Sequence, residues 1–140
     1  MDKRYEKIIA CRDYVRTRTD FVPRVALVLG SGLGGFAENL DVVCEVAYSD
    51  IPGFPVSTVP GHAGKFIFGV LDGVNVVCMQ GRVHYYEGYS IDDVVLPARL
   101  MKELGAEILF LTNASGGVNP GFEAGDLMLI TDHIAVFVPN

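Results

Sequence analysis

The chain has 140 residues, of which half are apolar and a fifth are charged, so it is suited to bury the core of one domain and is not a disordered polypeptide. Eleven basic and 17 acidic residues give a net charge of -6, the wrong sign for a protein that neutralises nucleic-acid phosphates. The amino terminus has no apolar signal segment and no stretch approaches the roughly 18 apolar residues of a membrane span, so we expect a soluble cytoplasmic protein.

The first part of the chain predicts a helix, a buried strand and a long loop. Apolar side chains recur every three to four positions over residues 3–18, which favours a surface helix with its arginines in water. The β-branched run 25–29 is typical of a strand buried on both faces, and we expect a short helical piece and an alternating strand at 42–48 to follow. Prolines and glycines predict an irregular loop over 51–64.

The middle of the chain predicts a β-hairpin. Residues 65–71 and 74–80 are strand-like runs separated by Asp72-Gly73, the strongest short hairpin signal. We therefore expect an antiparallel pair.

A helix and further strands are predicted after residue 89. Ser90 and Asp93 resemble a capping box, and Gly105 stands where a left-handed residue ends a helix. Pro97 lies inside this segment, which predicts a kink or a later start. Residues 108–111 are expected to form a second buried strand, and 127–131 a third.

These elements predict the α/β class, with helices packed on a mixed central sheet in one domain. Two buried-type strands run straight into loops of small residues. Because ligands bind beyond the carboxyl ends of strands in such sheets, the two loops could share one site.

The first of these loops is the glycine-rich segment 30–35. Residues without a Cβ let backbone N–H groups approach an anion closely, and the hydroxyl of Ser31 adds a donor. The segment also satisfies G-x-G-x-x-G, with Glu45 or Asp50 as the ribose acid of a dinucleotide fold, although the helix available after it is short for such a crossover. A Walker A loop is excluded because no G-K-[ST] follows, and a plain tight turn remains an alternative.

Residues 81–88 concentrate polar chemistry after the second hairpin strand. If the strand alternation persists, Arg82, His84 and Tyr86 project on one side. A guanidinium fork suits phosphate oxygens, an imidazole can donate to an anion or move a proton, and Glu87 can orient either group. The alternative is a solvated strand end with a Glu–Arg pair.

Small residues also follow the predicted strand at 108–111, in the segment 112–117. They could be a turn or a helix cap, or a second set of backbone donors. Cys11, Cys44 and Cys78 contain no C-x-x-C pair, so we expect reduced, mostly buried thiols, no disulfide framework and no metal site.

Four motifs in this order resemble the trimeric purine nucleoside phosphorylase family. They are V-L-G-S-G-L-G at 28–34, V-P-G-H-A-G at 59–64, G-R-V-H-Y-Y-E-G-Y at 81–89 and T-N-A-S-G-G-V-N-P at 112–120. The resemblance implies that residues 1–140 are the N-terminal portion of a single nucleoside phosphorylase domain, a truncated three-layer fold of a cytoplasmic homotrimer in purine salvage. It implies phosphorolysis of purine ribonucleosides such as inosine to free base and ribose 1-phosphate, with inorganic phosphate as co-substrate and no metal or organic cofactor.

The resemblance also implies roles for individual residues. His84 and Glu87 would be catalytic, and Tyr86 would face the ribose. The phosphate would be held by Ser31, His62, Arg82, His84, Asn113 and Ala114.

In the family, the purine-binding residues lie in a part of the subunit that is not present in this chain. We therefore expect a fragment that carries the phosphate site and is inactive alone. The alternative function is a non-catalytic oligomeric or anion-binding module built on the same half-fold.

Overall fold

A computed structural model describes residues 3–56 and 64–134. In chain order, the helices and strands are α1 (Lys3–Arg18), β1 (Val25–Val28), β2 (Asp41–Ala47), β3 (Lys65–Leu71), β4 (Val74–Gln80), α2 (Ile91–Glu103) and β5 (Ile108–Leu111). Short 3-10 helices cover Gly34–Asn39, Tyr48–Asp50 and Tyr85–Glu87. The mixed sheet with its helices confirms the predicted α/β class.

The five strands form one sheet in the order β2-β3-β4-β1-β5. The pairs β2–β3 and β3–β4 are antiparallel, whereas β1 lies parallel to both β4 and β5. Val28 at the end of β1 is in register with Met79 of β4 and with Leu111 of β5. The carboxyl ends of three neighbouring strands therefore meet at one edge of the sheet.

The two faces of the sheet are covered differently, as the alternation of side chains along its strands requires. Phe66 and Phe68 of β3 pack with buried residues of α1 and α2 on one face. Ile67 lies on the other face, in a smaller cluster with Ala37 of the 3-10 helix Gly34–Asn39. Both long helices thus support the sheet from the same side.

Local signals placed the hairpin and α2 correctly. Asp72 and Gly73 have φ of 48° and 79°, as a tight two-residue turn between twisted strands requires. The Ser90 side chain accepts a hydrogen bond from the Asp93 N–H, and Gly105 has φ of 114° at the carboxyl end. Pro97 does not delay the helix, which begins at Ile91 directly after its cap.

Two expectations about the last third of the chain are wrong. All four residues of β5 are exposed, by 47–64%, because in the described part of the chain β5 pairs only with β1 and neither face is covered. Residues 127–131 form no strand. An apolar run shows which segment prefers burial, but not whether a partner strand is present to pair with it.

The helical spacing predicted that the arginines of α1 lie in water, and for Arg16 this prediction is wrong. Arg16 donates from Nη1 to the Phe21 carbonyl (2.8 Å) and from Nη2 to the Leu104 carbonyl (2.6 Å). The Leu104 carbonyl belongs to the C-cap of α2. Arg16 therefore ties the ends of the two helices together.

The thiols behave as predicted from their spacing. Cys11 and Cys78 are buried, Cys44 is half-buried, and all three are free. Burial raises the pKa of Cys78 to about 12, so its thiol stays protonated at neutral pH. No described helix is long and apolar enough to cross a membrane, and no three His, Cys, Asp or Glu side chains among the described residues cluster as metal ligands do.

The exposed edge strand β5 predicts self-association. Leu109 and Phe110 are about half exposed on a strand that, among the described residues, pairs only with β1, a combination that favours pairing with another chain. We expect light scattering to show species larger than a monomer, and Leu109→Lys to reduce their amount because a charge on an edge strand opposes pairing. A monodisperse wild-type monomer would contradict this expectation.

One ion pair between the helices makes stability depend on pH. Lys7 Nζ lies 2.7 Å from Asp93 Oδ1, and the Ser90 hydroxyl donates to Asp93 Oδ2 at 2.7 Å. These two hydrogen bonds, with that of Lys7 the larger cause, lower the pKa of Asp93 below its ordinary 3.8. The pKa of Asp93 is therefore lower in the folded chain than in the unfolded chain. The ion pair makes its full contribution to stability above pH 3.8, and this contribution is lost as the pH falls through the folded pKa.

We therefore expect Asp93→Asn to lower the free energy of unfolding at pH 7 by no more than about 1 kcal/mol, because the pair is partly solvated. Urea unfolding of both proteins at pH 7 and pH 3 measures the difference, which should shrink at the lower pH. An equal difference at both pH values would show that the carboxylate charge is not the cause.

Candidate functional site

The loops after β1 and β5 are in direct contact at the carboxyl edge of the sheet. The Gly30 N–H donates to Thr112 Oγ1 at 2.8 Å, and this hydroxyl donates to the Val28 carbonyl at 2.9 Å. A Cβ on Gly30 would lie 2.6 Å from the Thr112 carbonyl oxygen and 2.8 Å from Asn113 Cα. Only glycine allows this approach, and the two small-residue loops therefore meet at one edge of the sheet.

Arg82 joins the end of β4 to the same place. Its Nη1 donates to the Thr112 carbonyl at 3.1 Å, and its Nε donates to His84 Nε2 at 3.4 Å. The side chain is half-buried. These contacts hold the guanidinium fork between the ends of β4 and β5.

His84 and Glu87 close a short turn after Arg82. Glu87 Oε1 accepts from the His84 backbone N–H at 2.7 Å and lies 2.8 Å from His84 Nδ1. The Glu87 side chain is only 3% exposed and that of His84 20%. Because Arg82 can only donate, His84 Nε2 is the acceptor in their contact, and the ring proton on Nδ1 is directed at Glu87 Oε1.

The predicted strand alternation through residues 81–88 is wrong, yet the expected neighbours meet. β4 ends at Gln80 and the chain turns through the 3-10 helix Tyr85–Glu87. The ring of Tyr86 stacks on that of His84, with centroids 4.7 Å apart and an interplanar angle of 16°. Tyr86 is 77% exposed, so its outer side is open to solvent.

Two supporting residues were not found from the sequence. Tyr48 is buried and donates from its hydroxyl to the Gly81 carbonyl at 2.8 Å; burial raises its pKa well above 10, so it remains a donor. Gln80 Nε2 donates to the Gly34 carbonyl at 2.9 Å. Only their partners in space reveal these roles, because a core tyrosine and a strand-end glutamine carry no distinctive spacing.

The remaining candidates that the structure describes lie at the same edge. Ser31 follows β1, and Asn113 and Ala114 follow β5; all three are exposed. Asn113 Nδ2 donates to the Ala114 carbonyl at 3.4 Å. His62 lies outside the described residues.

The dinucleotide alternative does not fit the topology. After the glycine-rich segment the chain forms the 3-10 helix Gly34–Asn39 and then β2, which is antiparallel to β3 and lies at the opposite end of the sheet from β5. A dinucleotide fold requires a helical crossover into an adjacent parallel strand. Within this segment, Gly30 instead allows the close contact with the loop after β5.

A mixed sheet whose three neighbouring parallel strands are followed by Gly30, Arg82 and Thr112 defines an α/β protein with a candidate site at the carboxyl edge of its sheet. The chain belongs to the phosphorylase superfamily, whose family model matches residues 24–139. This agrees, at the level of the superfamily, with the family that the four motifs indicated.

The curated proteins to which this chain is similar are purine nucleoside phosphorylases. The chain is 60% identical over 112 residues to purine nucleoside phosphorylase 1 of Geobacillus stearothermophilus, covering 80% of this chain and 41% of that protein. It is 52% identical over 134 residues to the Bacillus subtilis (strain 168) enzyme of the same name, covering 96% of this chain and 48% of that protein. The Bos taurus purine nucleoside phosphorylase is 50% identical over 130 residues, covering 93% and 45%.

Solved structures agree with the sequence relatives. The purine nucleoside phosphorylase of Schistosoma mansoni in complex with acetate superposes with a TM-score of 0.80 at 45% identity, covering 86% of this chain and 44% of that one. A purine nucleoside phosphorylase in complex with ribose-1-phosphate gives the same values. The chain thus spans somewhat less than half the length of the proteins it matches.

Proposed function

We propose that this chain carries the phosphate-binding half-site of a purine nucleoside phosphorylase. The observation that carries the proposal is the position of Arg82, whose guanidinium lies between the ends of β4 and β5 and donates to the Thr112 carbonyl. The same Thr112 holds the glycine loop after β1 through its hydroxyl. A cation and two loops of small residues are thereby brought to one point.

Phosphate suits this arrangement by charge and by geometry. Guanidinium N–H groups match the spacing of two phosphate oxygens. The exposed hydroxyl of Ser31 and the backbone of Ala114 add neutral donors from the neighbouring loops. By resemblance His62 and Asn113 belong to the same set.

His84 and Glu87 control the charge beside the phosphate. The carboxylate of Glu87 fixes the imidazole through Nδ1, so that Nε2 points toward Arg82. The Glu87 carboxylate, which is buried beside His84, is proposed to keep the site from overneutralising a bound phosphate. The anion then remains nucleophilic, which phosphorolysis requires.

The proposed reaction is the phosphorolysis of a purine ribonucleoside. A phosphate oxygen attacks C1′ of the ribose as the bond from C1′ to the purine nitrogen breaks, and the electron pair leaves with the base, which takes up a proton. Ribose 1-phosphate is the second product. Because the nucleophile is already an anion, placement and fixed donors contribute more than a general base.

The solved relatives support the substrate class, since one is in complex with ribose-1-phosphate and another, from Schistosoma mansoni, with adenosine. Tyr86, exposed and stacked on His84, is proposed to face the ribose. We further propose a cytoplasmic protein that works in a homotrimer, needs no metal or organic cofactor and uses inorganic phosphate as co-substrate.

Calorimetric titration with inorganic phosphate tests the half-site. Wild type should give a saturable heat, and Arg82→Ala should weaken binding by about tenfold or more, because hydrogen bonds to a charged group contribute roughly 1.5–3 kcal/mol. Arg24→Ala is the matched control, since its side chain is 67% exposed at the opposite, amino end of β1. Equal affinities for wild type and Arg82→Ala would refute the proposed site.

The same preparations distinguish a half-site from a complete enzyme. The purified chain is expected to bind phosphate without turning over inosine, because by resemblance the purine-binding residues are not in it. Robust phosphorolysis by this chain alone would contradict the half-site proposal and show that its residues suffice for the reaction.

A further inference from the structure

We propose that Thr112 is a positioning residue that sets the geometry of the phosphate site from behind, an inference that rests on the proposed function. It lies directly after β5 and is half-buried. Its hydroxyl and its backbone together contact the ends of β1 and β4. Thr112 is thus the point at which the three strand ends are joined.

The hydroxyl makes two bonds that only a group with both a donor and an acceptor can make. It accepts the Gly30 N–H at 2.8 Å and donates to the Val28 carbonyl at 2.9 Å. Val28 also accepts from the Thr112 backbone N–H at 3.1 Å. The start of the glycine-rich loop is therefore held by a side chain 82 residues further along the chain.

The carbonyl of the same residue positions Arg82. It accepts Nη1 at 3.1 Å, which fixes the direction of the guanidinium. The carbonyl oxygen also lies where a Cβ on Gly30 would approach to 2.6 Å. Since the Gly30 N–H bonds to the Thr112 hydroxyl, one residue holds both the Gly30 loop and the acceptor of Arg82.

These contacts predict that removing the hydroxyl of Thr112 has a larger effect than changing the shape of its side chain. Thr112→Val keeps the branched shape but leaves the Gly30 N–H without its acceptor, whereas Thr112→Ser keeps the hydroxyl. Thr17→Val is the matched control, because Thr17 Oγ1 donates to the Tyr14 carbonyl on the exposed side of α1. All four proteins are compared well below their unfolding temperatures.

Three measurements are made on each protein. Hydrogen–deuterium exchange at the Gly30 amide, read at single-residue resolution, should become about tenfold faster in Thr112→Val only, as loss of one hydrogen bond allows. Modification of Arg82 by phenylglyoxal, followed by peptide mapping, should also be faster in that variant. Phosphate affinity should fall about fivefold or more in Thr112→Val and stay within about twofold of wild type in Thr112→Ser and Thr17→Val.

The outcomes separate this inference from the proposed function. The inference is overturned if Thr112→Val keeps the wild-type exchange rate at Gly30, the wild-type modification rate at Arg82 and the wild-type phosphate affinity. It is also overturned if Thr112→Ser loses as much phosphate affinity as Thr112→Val does. If the wild-type chain binds no phosphate, the proposed function fails. The exchange rate at Gly30 and the modification rate at Arg82 can still be measured, because neither needs phosphate. Unchanged rates in Thr112→Val overturn the positioning role of Thr112, and faster rates support it.

Discussion

Phe66→Ala is expected to lower the free energy of unfolding by about 3–5 kcal/mol, enough to unfold a domain of ordinary stability. Phe66 is fully buried on β3, and its ring centroid lies 4.9 Å from that of Tyr48, 5.4 Å from Phe54 and 6.4 Å from Phe68. Alanine removes the ring from the centre of this cluster and leaves a cavity that the sheet and helices cannot close. Urea unfolding followed by far-ultraviolet circular dichroism measures the change.

The loss of Phe66 should also disturb the candidate site. Tyr48 packs on Phe66 and holds the Gly81 carbonyl, which directly precedes Arg82. Phe36→Ala is the matched control, because that ring is 43% exposed on the 3-10 helix Gly34–Asn39 and its removal should cost less than about 1 kcal/mol. Similar losses for the two variants would show that the aromatic cluster is not the centre of the core.

Gly30→Ala is expected to cost about 1–3 kcal/mol of stability and to weaken phosphate binding as well. The new Cβ would lie 2.6 Å from the Thr112 carbonyl oxygen and 2.8 Å from Asn113 Cα. Both neighbours are backbone atoms, so the loops after β1 and β5 must separate. The Thr112 carbonyl then moves away from Arg82 Nη1, and the guanidinium loses its fixed direction.

Gly35→Ala is the control from the same glycine-rich segment, since a Cβ there meets nothing within 4 Å. Thermal unfolding and phosphate calorimetry on both variants should show loss of stability and affinity for Gly30→Ala alone. If Gly30→Ala retains wild-type values in both measurements, the close contact between the two loops does not exist in solution.

Local chemistry predicted much of the fold. Asp72-Gly73 placed the hairpin because this pair tolerates the positive φ of a tight turn, and Ser90 placed the start of α2 because its side chain satisfies a helix N–H. Of the two effects predicted for Pro97, the later start is wrong, because α2 begins at Ile91. The propensity of one residue counted for less than the cap and the burial of the helix face.

Pairing and burial were predicted less well, because they depend on what lies beside a segment. Residues 108–111 have the composition of a buried strand and yet are exposed. Residues 127–131 have a similar composition and form no strand. In neither case does the apolar run itself say whether another strand or a helix layer is present.

The sequence by itself determined the kinds of chemistry available, namely a glycine-rich loop, the Arg82–Glu87 cluster and a loop of small residues, and it identified the family through their order. Only the tertiary structure decided how these parts meet. Parallel pairing of β4, β1 and β5 brings segments far apart in the chain to one edge. There the Thr112 hydroxyl contacts the end of β1, and the Thr112 carbonyl accepts a hydrogen bond from Arg82 after β4. Such contacts depend on strand register and on atoms within 3 Å of each other, which no spacing along a single chain encodes.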